Sequence, residues 1–141
     1  MLDRVVRAAL REDIEQVLEL WRVAGENAER PADRREAVDR LLDRDPGALL
    51  VAVEGGRIVG TLIAGWDGWR AHLYRLAVLP KYRRRGIARE LLRAATERLT
   101  ASGASRIDAM VLEGNADGRG LWEAAGYSAQ PNWRRWVRPV S

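Results

Sequence analysis

The stretch from Leu76 to Leu92, Leu-Ala-Val-Leu-Pro-Lys-Tyr-Arg-Arg-Arg-Gly-Ile-Ala-Arg-Glu-Leu-Leu, constrains this chain more than any other. An apolar run ends at Pro80 and a basic loop follows it. From Gly86 the residues Ile87, Leu91, Leu92, Ala95 and Leu99 recur at helical spacing, with Gly103 beyond them. The spacing predicts a strand, a loop and then a helix over 86–99. Such a junction suits a diphosphate for three physical reasons that reinforce one another. Gly86 lets backbone amides approach an anion with no side chain in the way. The helix that starts there aims unpaired N–H groups and a positive dipole end at the same point. Arginines surround it. A run such as Arg83 to Arg85 would by itself read equally well as a solvated basic turn; the strand before it and the helix after it favour anion binding. No Gly-x-x-x-x-Gly-Lys-Ser/Thr loop is present, and no Gly-x-Gly-x-x-Gly follows the first strand, which argues against an ATP-hydrolysing P-loop and a dinucleotide fold.

The other elements fit around this junction. Arg4 to Ala9 alternates as a first strand. Ile14, Val17, Leu18, Trp21 and Ala24 share a helical face that Gly25 ends, and a more charged helix follows at 34–43. Leu49 to Val53 and Ile58 to Ala64 are β-rich runs joined by Gly55-Gly56, a hairpin signal. Asp67-Gly68 makes a second turn into a run at 72–79. Ile107 to Leu112 is the next strand, parallel to that run through the helix between them. A short helix at 118–125 precedes Gly126-Tyr127 and a last hairpin around Pro131-Asn132. The expected class is α/β, a mixed sheet with antiparallel early strands and a parallel central pair, flanked by about four helices. At 141 residues the chain fits one domain, residues 1–141. It has no cysteine, which removes disulfides, cysteine nucleophiles and thiolate metal sites. No metal site is expected. No apolar run approaches the ~18 to 20 residues of a membrane span, and the amino terminus carries no targeting pattern. A cytoplasmic protein with no membrane partner is the default expectation.

Arg83-Arg-Arg-Gly86-Ile-Ala88 resembles the Gln/Arg-x-x-Gly-x-Gly/Ala signature of the GNAT N-acetyltransferase superfamily. The resemblance spans nearly the whole chain. Arg7-Ala-Ala-Leu-Arg-Glu-Asp is similar to the family's opening strand and helix start, and Asn115 with Leu121-Trp-Glu-Ala-Ala-Gly-Tyr127 to its fourth helix and sixth strand. Gly65-Trp-Asp-Gly68 is shared with a branch of small bacterial acetyltransferases, the YpeA-like proteins. The resemblance implies acetyl-CoA as co-substrate, in a V-shaped cleft where the central parallel strands splay apart. Backbone groups of Leu76, Ala77 and Val78 would pair with the pantetheine arm. Amides and side chains of Arg83, Arg84, Arg85, Gly86, Ile87, Ala88 and Arg89 would hold the pyrophosphate, and the Val78 amide would sit where oxyanion charge develops. Asn115, which also reads as a helix cap, would contact the arm from the other side. A primary amine, on a small molecule or a protein, would then attack the thioester directly.

The chain departs from its relatives at the positions that move protons. Trp122 stands where many carry a tyrosine able to protonate the departing thiolate, and an indole N–H is no proton source near neutral pH; Trp122 is first a packing residue that borders the cleft. Met110 occupies the position of a strand-five glutamate. His72 occupies that of a strand-four glutamate, four residues before the backbone-pairing triplet, and imidazole, with an ordinary pKa of about 6.5, suits proton acceptance. A lone histidine beside a hairpin is also an ordinary hydrogen-bonded surface residue, so the assignment of His72 as base stands next to that reading. Glu113 and Asp67 are reserve bases at strand ends. Trp66, Trp69, Trp133 and Trp136 read as strand and hairpin packing before they read as acceptor-pocket walls. The arginine cluster and the missing acid leave a non-catalytic CoA-binding or nucleic-acid-binding module as the alternative function, with the strand-loop-helix context favouring the cofactor. The acceptor's identity and the choice between monomer and homodimer stay open.

Overall fold

The computed structural model describes residues 3–25, 31–111 and 116–140. The chain forms two compact units, Met1–Met110 and Val111–Ser141. The first contains β1 (Arg4–Ala8), a 3-10 turn at Arg11–Asp13, α1 (Ile14–Ala24), α2 (Arg35–Arg44), β2 (Leu49–Glu54), β3 (Arg57–Trp66), β4 (Ala71–Val78), a second 3-10 turn at Pro80–Tyr82, α3 (Ile87–Ser102) and β5 (Ile107–Ala109). The sheet order is β1-β2-β3-β4-β5. Neighbours from β1 to β4 pair antiparallel, and β4 pairs with β5 in parallel. The mixed α/β class is the one the sequence predicts.

Turn chemistry sets the registers. Gly55 and Gly56 both take positive φ, 58° and 77°, which a two-residue turn matching the strand twist requires. At the next hairpin the Asp67 carboxylate accepts hydrogen bonds from the amides of Trp69 (2.8 Å) and Arg70 (2.6 Å). Helices cover both faces of the sheet. Trp21 of α1 donates its indole N–H to the buried Thr61 hydroxyl on β3 (2.8 Å). The neighbouring Gly60 points the other way, where a Cβ would meet Ile87 at 2.9 Å and Leu91 at 3.1 Å. A side chain at this position would therefore push α3 off the sheet. The buried face of α1 is Ile14, Val17, Leu20 and Trp21, with Leu18 at its margin.

Four expectations are corrected. β5 ends at Ala109 instead of running to Leu112, which lies outside the described residues. Its pairing stops at Leu73↔Ala109, just before an irregularity opposite Thr61 and Ile63 where β4 carries an extra residue and Arg75 takes φ 57°. A bulge bends its strand, so β4 leaves β5 there. Among the described residues the parallel pair lies at the sheet edge, because 127–140 contain no strand. The last hairpin is likewise reduced to a turn at Pro131-Asn132. For the same reason Trp133 and Trp136 are 73% and 93% exposed, and Trp69, at a hairpin tip, is 88% exposed; none of them packs as expected. The second unit holds α4 (Ala116–Ala124), after which the chain turns at Gly126 with φ 96°. Its Trp122 is buried and meets the Tyr127 ring edge-on at 5.0 Å.

Asp13 joins β1 to α1. Its carboxylate receives Arg7 at 2.7 and 3.2 Å and the Leu10 amide at 2.8 Å. The Arg7 guanidinium, opposed by burial and helped by the Leu10 amide, holds Asp13 below the usual carboxylate range. A lowered folded-state pKa gives stability that is present above the unfolded value and lost as pH falls through the folded one. Asp13→Ala should therefore cost about 1.5–3 kcal/mol in neutral denaturant titrations, and the gap to wild type should narrow as pH drops below the ordinary carboxylate range.

Candidate functional site

Leu79 donates its amide to the Val59 carbonyl at 2.9 Å, which makes that residue pair a hydrogen-bonded one in the β3/β4 ladder. Such pairs alternate with pairs whose N–H and C=O point outward. Val78, opposite Gly60, thus turns its N–H and C=O away from β3, toward the side that β5 does not reach. Beyond Leu73 β4 thus has an edge that no described strand pairs with, and Val78 directs its amide to it, while Ala77 stays in the ladder opposite Thr61. Arg83 reaches back to this edge, donating Nε–H to the Val78 carbonyl at 3.1 Å.

The edge runs directly into the arginine loop. Arg84 and Gly86 both take positive φ, 64° and 82°. A left-handed residue immediately before the first helical turn directs the loop amides to one side, and glycine adopts it without strain. A Cβ at Gly86 would meet no protein atom within 4 Å, so the space beside it is open. Gly86 caps α3 with no side-chain hydrogen bond. The first-turn amides of Ile87, Ala88 and Arg89 therefore lack the partner that a capping side chain would give. The amides of Arg84, Arg85 and Gly86 pair with no backbone carbonyl among the described residues.

The surrounding charges divide into two groups. Arg4 on β1 donates to Glu90 at 2.7 and 3.0 Å and to the Arg85 carbonyl at 3.1 Å, tying the loop to α3. This guanidinium holds Glu90 below the usual carboxylate range. Arg85 stacks over Tyr82 at 5.1 Å and lies 3.5 Å from Glu54. Arg84 and Arg89, both exposed, have no ion-pair partner among the described residues. Two cations, open left-handed backbone and an uncapped helix start thus converge where the sequence places the anion cradle. The bulge beside it is secured from α1: the Thr61 hydroxyl that accepts from Trp21 donates to the Arg75 carbonyl at 2.9 Å, and the Arg75 guanidinium binds Asp33 at 2.9 Å.

The sequence profile of the Acetyltransferase (GNAT) family matches residues 12–127. The chain belongs to the GNAT acetyltransferase family. An acetyltransferase of Yersinia pestis strain Pestoides F is 36% identical over 126 residues, which cover 89% of this chain and 88% of that one. Among solved structures, the aminoglycoside N-acetyltransferase AAC(6')-Iy in complex with CoA has a TM-score of 0.79 at 19% identity, covering 99% of this chain and 97% of that one. Ard1 from Thermoplasma volcanium has a TM-score of 0.78 at 17% identity, covering 90% and 84%. The protein is an acetyltransferase of the GNAT fold.

The predicted catalytic residues of this acetyltransferase fare differently from its cradle. Glu113 and Asn115 lie outside the described residues. Trp122 belongs to the second unit, where it packs on Tyr127. Met110 is 53% exposed and outside β5. His72 sits on β4 opposite Gly65. It shares a face with Thr61 and Ile63 through the period of two along β3, which is the face α1 covers. Its Nδ1 is hydrogen-bonded to the Asp108 carboxylate on β5, and its ring lies 5.8 Å from that of Tyr74. Burial pushes the Tyr74 phenol above its ordinary range, so it stays protonated near neutrality. Sequence reasoning missed Asp108. The signal was an acid in mid-strand between Ile107 and Ala109, at a position that pairs with His72 once the strands are aligned. No helix among the described residues is long and apolar enough to cross a membrane.

Proposed function

We propose that this acetyltransferase moves an acetyl group from acetyl-CoA to a primary amine by direct attack within a ternary complex. The observation that carries the reading is the pair of donor groups set along one path among the described residues: the outward amide of Val78 at the β4 edge, and, beyond the 3-10 turn, the amides of Arg84–Gly86 leading into the uncapped start of α3. These groups fit an extended amide-bearing arm followed by a diphosphate. Leu76, Ala77 and Val78 bind the arm as a further strand, and the Val78 amide faces the thioester oxygen, where it stabilises the developing oxyanion. Arg84 and Arg89 neutralise phosphate oxygens, while Arg83 and Arg85 shape the loop. CoA in the complex of the similar aminoglycoside N-acetyltransferase supports the same donor here. The family match, running across both units, supports one catalytic domain. His72 accepts the amine proton on the α1 face. We assign to the acceptor a recess of about 530 Å³ lined by α1 and residues 31–33, among them Glu15, Glu19, Trp21 and Asp33.

Acetyl-CoA should raise the melting temperature, since a ligand of the native state alone at ~100 times its Kd adds about 2.7 kcal/mol. Gly86→Asn, which tolerates the left-handed backbone but fills the open space, should lose most of that shift while keeping the melting temperature of the free protein. A variant that binds CoA like wild type would move the cradle elsewhere. Binding of duplex DNA through several cations would fall steeply with salt, whereas CoA held by backbone amides should weaken less.

An amine and peptide panel with acetyl-CoA, read by thiol release, should identify acceptors. With the best of them, His72→Ala should lower kcat by roughly 10²-fold and abolish the acidic limb of the pH profile. An unaltered profile would return His72 to a structural role.

A further inference from the structure

We infer that Asp108 is a positioning residue for the reaction, forming with His72 a carboxylate–imidazole pair that fixes which imidazole nitrogen takes the proton. The inference rests on the acetyl-transfer reading and on His72 as base, and adds to them a residue that neither the family signature nor the cradle contains.

The pair is a product of the sheet, not of a loop. His72 and Asp108 are register partners on parallel strands, so their side chains leave the same face side by side. The chain reaches this pairing through α3, which separates the two residues by 36 positions. β4 and β5 share only the pairs Ala71↔Ile107, His72↔Asp108 and Leu73↔Ala109 before the bulge parts them. The pair therefore sits on the last rigid ladder before the free edge on which the donor is proposed to lie. Both side chains are part-exposed, at 44% and 42%, which leaves the far side of the imidazole reachable by an acceptor.

The chemistry follows from what a carboxylate can do. Ionised Asp108 only accepts hydrogen bonds, so the Nδ1 that faces it must carry the proton. The lone pair is then on Nε2, directed away from Asp108. Without that partner, the neutral ring would distribute between two tautomers and rotate about its side-chain bonds. The Tyr74 ring bounds the imidazole along its own strand, and Arg70 and Arg106 line a neighbouring depression of about 300 Å³ with Asp108. Neither arginine forms an ion pair with Asp108, which pairs with His72. In the transfer the amine nitrogen bonds to the acyl carbon and its proton passes to Nε2 of His72, thence to solvent. The carbon–sulfur bond breaks with its electron pair leaving on sulfur, which takes a proton from water. Asp108 stays ionised throughout and stabilises the imidazolium formed along the way.

The test exploits the fact that His72 is the chain's one histidine. Imidazole nitrogen-15 NMR of the whole protein therefore reports this ring alone. Wild type should show, in its neutral form, a protonated Nδ1 and an unprotonated Nε2. Asp108→Asn, close to isosteric, should lose that preference without a change in melting temperature or in the acetyl-CoA-induced shift. Its kcat should fall about tenfold or more, part of the ~10²-fold typical of a positioned base, with KM for acetyl-CoA unchanged. Adding Asp108→Asn to His72→Ala should cost nothing further. The inference is overturned if the neutral ring is protonated on Nε2 in wild type, or if Asp108→Asn keeps wild-type kcat. It is equally overturned if the Asp108→Asn loss persists undiminished in the His72→Ala background. A wild type that releases no thiol with any amine would instead overturn the acetyl-transfer reading itself, whatever the tautomer.

Discussion

Two parallel strands that stop pairing partway along leave a strand edge that no other strand pairs with among the described residues, and the candidate site is organised around that gap. β4 continues to Val78 after its pairing with β5 has ended at Leu73↔Ala109. Unpaired backbone N–H and C=O groups need water or a ligand to satisfy them, and an exposed strand edge readily accepts another extended chain. The gap opens because β4 carries an extra residue at the bulge, with Arg75 at positive φ. A non-glycine residue is costly in that conformation, and it persists because its surroundings specify it. Thr61 holds the Arg75 carbonyl, Trp21 holds Thr61, and Asp33 holds the Arg75 guanidinium.

The second support is α3. Its seat on the sheet is fixed by Gly60, whose missing side chain leaves room for Ile87 and Leu91. The uncapped helix start follows the free edge in the chain after only the 3-10 turn at Pro80–Tyr82 and the arginine loop, so the donors of the strand and of the helix belong to one short stretch. Arg4 then clamps the loop and Glu90 together from β1. The most distant strand in sequence thus helps hold the cradle in shape. Chemistry on an acyl donor needs this stiffness, because donors aimed at a developing charge act only if they need not reorganise to meet it.

What could be read in the sequence followed from local rules. Arg83 to Ala88 carried its meaning in a short window, since glycine, arginines and a helix start are neighbours in the chain. The hairpin glycines and the proline after β4 were legible for the same reason. The reach of β5 was not, because a run of apolar residues shows that a strand can form but not where a bulge in its partner will end the pairing. Residues 127–140 show the same limit: Pro131-Asn132 predicted a turn, which is present, but no local signal states whether the flanks find a sheet. Asp108 is the instructive omission. It is an ordinary acid in sequence, and only the parallel register across α3 brings it against His72.

Amide hydrogen exchange with and without acetyl-CoA tests most directly whether the gap beside β4 is the donor site. Bound acetyl-CoA should protect the Val78 amide on the free edge and those of the loop and helix start at Arg84–Arg89, leaving β1 to β3 unchanged. Protection confined to other segments, such as the tryptophan- and arginine-rich stretch 133–140, with the β4 edge exchanging as before, would contradict the account.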